Sequence, residues 1–278
     1  MSTTTDTTTT DGIAMDHVAL ASRHAWDHII RFCYQMGAHW LGGPPLGDGG
    51  FYFCQAEMQS GTKLEFLEPI EGAGSDFLRR FLDRNGPGPH HFTFKVKDFD
   101  AALDAVAAAG YDLVSVDRSD PEWQEAFLHP KQSHGIVIQL AHNGGDGEGW
   151  TIDTELPPPL RPALPVLSSV DHLVADLEAA VKLFSGPLTM SVLEHGSDAD
   201  GNHVIVGSGP WRLKLIQPTN PSWRHWLGAR PGRLLRLCFE LDEPGTVPDA
   251  RAVGDGRYEI SPERNLGTRL LLSEPGHR

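Results

Sequence analysis

The sequence predicts an α+β chain of two tandem domains, each assembled from repeats of one strand–helix–several-strand unit. Three observations predict it. Short apolar runs with period-two alternation recur around one helical pattern. That order starts twice within the first 142 residues and echoes again after residue 165. Between the two parts, residues 143–165 form a Gly-rich then Pro-rich stretch without periodicity. The expected organisation is a tail at 1–11, a domain at 12–142, a linker at 143–165 and a second domain at 166–278. A chain of 278 residues is long enough for two cores, and its 22% charged content excludes a disordered polymer.

The elements follow in order. IAMDHVALA alternates as a strand, and the helical pattern after it carries Trp26, Ile29, Ile30 and Cys33 on one stripe until glycines stop it. FYFCQA and TKLEFLEPI are strand-like runs joined by a turn at Ser60-Gly61. HHFTFKV then restarts the order, followed by DFDAALDAVAAAG, a helix with an aspartate cap and a glycine stop. YDLVSV, EAFLHP and GIVIQLA complete the second unit as strands. Past the linker, SSVDHLVADLEAAVKLF echoes AMDHVALASRHAWDHIIRF, and GPWRLKLIQP echoes GTKLEFLEP. The tryptophans of PSWRHWLG are expected to anchor a short helix on a core.

Composition excludes several classes of function. A formal net charge of −14 and the absence of a basic run leave no electrostatic footprint for nucleic acid. No apolar run approaches the ~18 to 20 residues that span a bilayer. The polar start MSTTTDTTTTDG lacks the basic and apolar regions of a signal peptide. Cys33, Cys54 and Cys238 have neither the number for a disulfide framework nor a C-x-x-C spacing, so a reducing cytoplasm is the expected setting. The expected partner is a small-molecule substrate.

The repeat also locates a site. The polar residues interrupting the strands of the first domain are His17, Glu65, His91 and Gln139. From His17 to Glu65 is 48 residues, and from His91 to Gln139 is again 48, so each unit sets one histidine on its first strand and one carboxylate or amide on its last. Alternation puts His90, Phe92, Phe94 and Val96 on the packed side of HHFTFKV, and His91, Thr93 and Lys95 on the polar side. Leu64 and Phe66, then Ile138 and Leu140, likewise turn inward, leaving Glu65 and Gln139 outward. Two curved sheets in pseudo-twofold pairing would enclose a cleft holding all four. Two imidazoles, a carboxylate and an amide oxygen suit a divalent ion such as Zn, Ni, Co, Mn or Fe. With only Glu65 charged, the ion keeps about one positive charge and remains a Lewis acid.

At MDHVAL, TKLEFLEP, GPHHFTFKVKDFDAALDAVAAAGY and AFLHPKQSHGIVIQLA the chain resembles the vicinal oxygen chelate superfamily, which includes glyoxalases, bleomycin-resistance proteins and extradiol dioxygenases; methylmalonyl-CoA epimerase-like members look nearest. The resemblance covers residues 14–142. It implies paired βαβββ modules, metal ligands at His17, Glu65, His91 and Gln139, and a homodimer. It also implies a metal-dependent isomerase, epimerase or lyase acting on a carbonyl- or enolate-forming substrate. The alternatives are an Fe(II)-dependent extradiol-type dioxygenase and a non-catalytic protein that binds a drug-like molecule. Gln139 stands where the family usually has a glutamate, and an amide accepts no proton at neutral pH. FYFCQA carries Tyr52 and Cys54 but no glutamate for an epimerase base. The remaining candidates for proton transfer are Glu125 in PEWQEAF, His129 in FLHP, and Tyr52, while Lys95 and Thr93 are candidate substrate contacts. His129 also suits a turn before Pro130. Alignment of the second domain sets His172, Lys214, Arg236 and a leucine of RLLLSE at the ligand positions, a set that holds no metal; His172 is read as structural and the domain as degenerate.

Overall fold

The computed structural model describes residues 12–41, 46–48, 50–72, 76–143 and 156–276. The expected tail at 1–11 and residues 144–155 of the expected linker lie outside them. The first half runs β1 (Ile13–Ala21), α1 (Ala25–Ile29) continued by a π-helical turn (Ile30–Gln35), β2 (His39–Trp40), β3 (Leu46–Asp48), β4 (Phe51–Glu57), β5 (Lys63–Pro69), α2 (Phe77–Asn85), β6 (Gly88–Val96), α3 (Phe99–Ala108), β7 (Leu113–Asp120), β8 (Trp123–Leu128) and β9 (Val137–Asn143). The second half runs β10 (Val166–Val174), α4 (Leu177–Ser185), β11 (Ser191–Ser197), β12 (Gly201–Ser208), β13 (Trp211–Pro218), α5 (Pro221–Leu227), β14 (Gly232–Glu240), β15 (Arg251–Gly254), β16 (Arg257–Ile260) and β17 (Leu270–Ser273).

The strands form two sheets of matching order. One runs β2-β4-β5-β1-β6-β9-β8-β7 with β3 on β4; the other runs β11-β12-β13-β10-β14-β17-β16-β15. Each sheet is two βαβββ modules joined through their first strands. The last module carries only a 3-10 turn at Pro244–Thr246 where the others have a helix. The two modules of the first half thus share one sheet instead of supplying two, because β1 and β6 pair and cover each other's polar edge.

Local chemistry explains the elements. In β5, Leu64 and Phe66 are fully buried, and the turn before it works because Gly61 adopts φ of +79° while its N–H donates to the Met58 carbonyl. The Asp98 carboxylate accepts the Ala101 N–H at 2.9 Å to cap α3, and Asp176 accepts the Ala179 N–H at 3.0 Å to cap α4. Asn220 caps α5, whose Trp226 lies under the Arg233 guanidinium at 3.8 Å. Two expectations fail around α1 and α2. Trp26 is 48% exposed; the buried stripe is Ala25, His28, Ile29, Phe32 and Cys33, one residue off the expected one. No expected helix corresponds to α2, which buries only Leu78 and Leu82, against Ala19, Ala21 and Leu67. Among the described residues no helix is long and apolar enough to cross a membrane.

Compactness divides the chain into two units that each draw on both halves. One comprises His17–His91, Glu148–Val170 and Leu235–Arg278. Within it the buried Arg31 of the π-helical turn donates to the Pro248 carbonyl (2.6 Å), the Asp249 carboxylate (2.8 Å) and the Arg264 carbonyl (3.1 Å), and Arg161 bonds both the Gln35 carbonyl and the Thr246 hydroxyl. The other comprises Met1–Asp16, Phe92–Gly147 and Asp171–Leu234, with Phe92 packed on Phe184 and the backbone of Gly135 against that of Gly232.

His28 is a stability defect in the first of these units. Its ring stacks against Phe66 (5.2 Å) and Phe32 (6.2 Å), and both ring nitrogens are buried without a hydrogen-bond partner. Burial pushes its pKa down to about 3. The folded protein therefore keeps this ring neutral while the unfolded chain binds a proton below pH 6.5, so stability drains away as pH falls from 6.5 towards 3, by up to about 1.4 kcal/mol per pH unit. Replacing His28→Phe is expected to add about 1–3 kcal/mol at pH 7 and more at pH 5. Melting temperatures of both proteins across pH 7 to 4.5 test it; parallel curves for the two would contradict it.

Candidate metal centre

Three adjacent strands each aim one polar side chain at a common point. β5, β1 and β6 are neighbours in the first sheet. β1 and β5 run parallel with Ala19 opposite Glu65, so His17, two residues before Ala19, projects from the same face as Glu65. His91 enters from β6. All three are nearly inaccessible, and one donor atom from each lies within 4.8 Å of the others. The Glu65 Oε2 atom stands 3.5 Å from His17 Nε2 and 3.6 Å from His91 Nε2. Those gaps are long for hydrogen bonds and right for ligands of one ion, since bonds of about 2.0–2.2 Å leave donor atoms about 3–4 Å apart.

The chemistry of the donors agrees. His91 Nε2 is buried with no hydrogen-bond partner, an arrangement that costs free energy unless something electrophilic meets it. Burial, then the neighbouring His90 and His17 rings, hold the His91 pKa well below its ordinary value. It is a neutral imidazole at physiological pH, the form that binds a cation.

Two residues not among the expected site residues support these ligands, Gln55 and His90. Gln55 lies directly across the β4–β5 ladder from Glu65 and its Nε2 donates to Glu65 Oε1 at 3.2 Å, so Oε2 is the oxygen left towards the imidazoles. The hairpin register about Ser60-Gly61 contained that signal. His90, assigned to packing alone, places its Nδ1 atom 2.8 Å from His91 Nδ1.

The other sequence candidates of the first half, Tyr52 apart, lie in the unit that contains Phe92–Gly147. Gln139 has both ends of its amide engaged: Oε1 accepts the Thr93 hydroxyl at 2.6 Å and Nε2 donates to Glu125 Oε2 at 2.7 Å. The same Glu125 oxygen accepts the Trp123 indole N–H at 3.1 Å, and the Lys95 ammonium sits 3.8 Å over the Trp123 ring. These form a connected polar network on β6, β8 and β9. His129 closes its turn, with Nδ1 accepting the Lys131 N–H at 3.2 Å. Tyr52 lies on β4 opposite Glu68, half-buried. Beyond the linker, fully buried His172 bonds the His134 carbonyl at 2.7 Å and meets Phe92 edge-on, and burial lowers its pKa to about 4. Lys214 pairs with Asp198 at 2.5 Å. Among the described residues, His17, Glu65 and His91 are the one group of at least three His, Cys, Asp or Glu side chains placed to hold an ion.

Comparison with known proteins supports the same fold. Residues 16–127 match the family described as Glyoxalase/Bleomycin resistance protein/Dioxygenase superfamily. A triple mutant of 4-hydroxymandelate synthase from Streptomyces coelicolor, 14% identical, aligns over 96% of this chain and 94% of its own with a TM-score of 0.63. Methylmalonyl-CoA epimerase from Mycobacterium tuberculosis, 23% identical, aligns over 50% of this chain and 93% of its own with a TM-score of 0.43. A hypothetical protein from Bacillus halodurans C-125 behaves alike, at 23% identity, 49% and 98% coverage and a TM-score of 0.44. No curated protein matches the chain. Residues 16–127 thus match a domain of the Glyoxalase/Bleomycin resistance protein/Dioxygenase superfamily, and the two sheets of paired βαβββ modules share the fold of 4-hydroxymandelate synthase.

Proposed function

We propose that the protein is a divalent-metal-dependent enzyme, an isomerase, epimerase or lyase acting on a small substrate that forms an enolate next to a carbonyl. The observation that carries this is the convergence of His17, Glu65 and His91, with the partnerless Nε2 of His91 among the three donor atoms. A bound ion would supply Lewis acidity toward a chelated substrate oxygen. The chain's own part is to orient: Gln55 fixes which Glu65 oxygen faces the imidazoles, and burial keeps His91 neutral. Proton transfer falls to a carboxylate, imidazole or phenol, with Glu125, His129 and Tyr52 as candidates. A small-molecule substrate, a homodimer and a cytoplasmic setting belong to the same proposal.

A second reading, an Fe(II)-dependent dioxygenase, is favoured by the composition of the set, since two imidazoles and one carboxylate suit a non-haem iron oxygenase. Anaerobic purification, elemental analysis and a substrate screen with an oxygen electrode separate the two. Turnover with Zn, Ni, Co or Mn and no O2 uptake supports the first; iron with O2 uptake supports the second. Tight binding of an aromatic compound by metal-free protein, unaffected by chelator and without turnover, would make it a drug-binding protein. Failure to take up any of these ions would overturn both enzymatic readings.

A further inference from the structure

The metal-centre reading leaves the role of one neighbouring ring unexplained. Alternation along β6 sends His90 away from the side of His91, yet the two rings meet edge-on, with centroids 5.1 Å apart and Nδ1 atoms at 2.8 Å. Against its other surface His90 meets Phe81 edge-on at 4.6 Å and Phe77 at 5.9 Å, both from α2. The half-buried ring is therefore wedged between a helix and a ligand.

Two neutral imidazole nitrogens at 2.8 Å share one proton, which leaves two arrangements. If His90 donates, His91 accepts through Nδ1 and carries its own proton on Nε2. That proton would then sit in a buried position without a hydrogen-bond partner, 3.6 Å from Glu65 Oε2, and would occupy the nitrogen that faces the cluster. If His91 donates from Nδ1, its Nε2 lone pair points at the cluster. Only the second arrangement is compatible with a cation there.

We propose that His90 is a positioning residue of the metal centre: its Nδ1 accepts the Nδ1–H of His91 and so fixes His91 in the tautomer that offers Nε2 to a divalent ion. The inference rests on the metal-centre reading. Metal-bound histidines commonly give their second ring N–H to a carboxylate or a carbonyl. An imidazole in that place orients the ligand without adding negative charge, so it leaves the ion's Lewis acidity intact. The aromatic contacts from α2 hold the acceptor in line.

The test uses the full-length chain and Zn(II) or Co(II) alone as probes. Calorimetric titration of wild type, His90→Phe and His90→Asn is expected to show metal affinity about 10- to 100-fold weaker for the phenylalanine variant. Most of that loss should return with asparagine, whose amide oxygen reaches the place of Nδ1. In Zn-loaded protein with 15N-labelled histidine, NMR should find the His91 proton on Nδ1 and an unprotonated Nδ1 on His90. Equal affinity of wild type and His90→Phe, or a protonated His90 Nδ1 in the Zn-loaded form, would overturn the proposal while leaving the metal centre in place. Wild-type protein that takes up neither ion would instead remove the metal-centre reading itself. Should the phenylalanine variant fail to fold, the wild-type NMR assignment decides alone.

Discussion

Glu65→Gln is expected to weaken divalent-metal binding at least about 1,000-fold while leaving the metal-free protein folded. Glu65 is the one anionic donor in the cluster, and its Oε2 stands nearly equidistant from His17 and His91, at 3.5 and 3.6 Å. An amide keeps the shape and an oxygen for the Gln55 hydrogen bond but gives up the full charge. A carboxylate touching a doubly charged ion gains far more than the ~4 kcal/mol that corresponds to a 1,000-fold change, and part of that gain is spent on desolvating the ion. In the metal-free state the balance reverses. Glu65 is 8% exposed, so removing its charge relieves the desolvation cost of a buried carboxylate. Calorimetric titration with Zn(II), beside melting curves with and without EDTA, separates the two effects. Undiminished affinity in the variant would mean that the ion, if one binds, binds elsewhere.

The grouping of His17, Glu65 and His91 was legible because each is a polar interruption in an apolar strand, and period-two alternation converts such an interruption into a direction. The equal 48-residue steps added which residue of one strand belongs with which of another. Gln55 and His90 were not legible in that way. The role of Gln55 depends on a cross-strand register, and that of His90 on a ring turning against the alternation of its own strand beside α2. The helix α2 is not legible in the same pattern because FLRRFLDRN buries only Leu78 and Leu82 and its phenylalanines serve neighbours distant in sequence. Trp26 lies off the buried stripe for a related reason. A large apolar side chain looks like core, whereas small Ala25 and polar His28 took the buried stripe, which the π-helical turn continues. What sequence pattern conveys is the direction of a side chain from its own backbone; what it omits is which foreign backbone stands opposite.

Gly135→Ala is expected to cost more than about 4 kcal/mol and to leave the protein largely unfolded at 37 °C. Two costs combine there. Gly135 holds φ at +86°, where an L side chain loses about 1–2 kcal/mol. A Cβ on it would stand 1.9 Å from the Gly232 carbonyl oxygen and 2.4 Å from the carbonyl carbon, backbone atoms that no rotamer can move aside. Gly232 is no freer, since its own Cβ would lie 1.9 Å from the His134 carbonyl oxygen. The crossing joins the loop before β9 to the start of β14 inside one compact unit. In the other unit Gly267, before β17, presses on Pro87 just before β6, where a Cβ would come within 1.7 Å of the carbonyl oxygen. Each unit thus has one such backbone crossing, and the Pro-Gly pairs at 87–88 and 231–232 mark it in the sequence. Gly110→Ala isolates the conformational part: φ is +88° but nothing lies within 4 Å of the added carbon, so its cost should stay near 1–2 kcal/mol. Urea denaturation of the two variants measures the difference directly. If both lose the same stability, backbone overlap is absent and the crossing is held only by the preference of glycine for its dihedral angle; if Gly135→Ala and Gly267→Ala both collapse while Gly110→Ala survives, close backbone contact between distant modules is what keeps each unit folded.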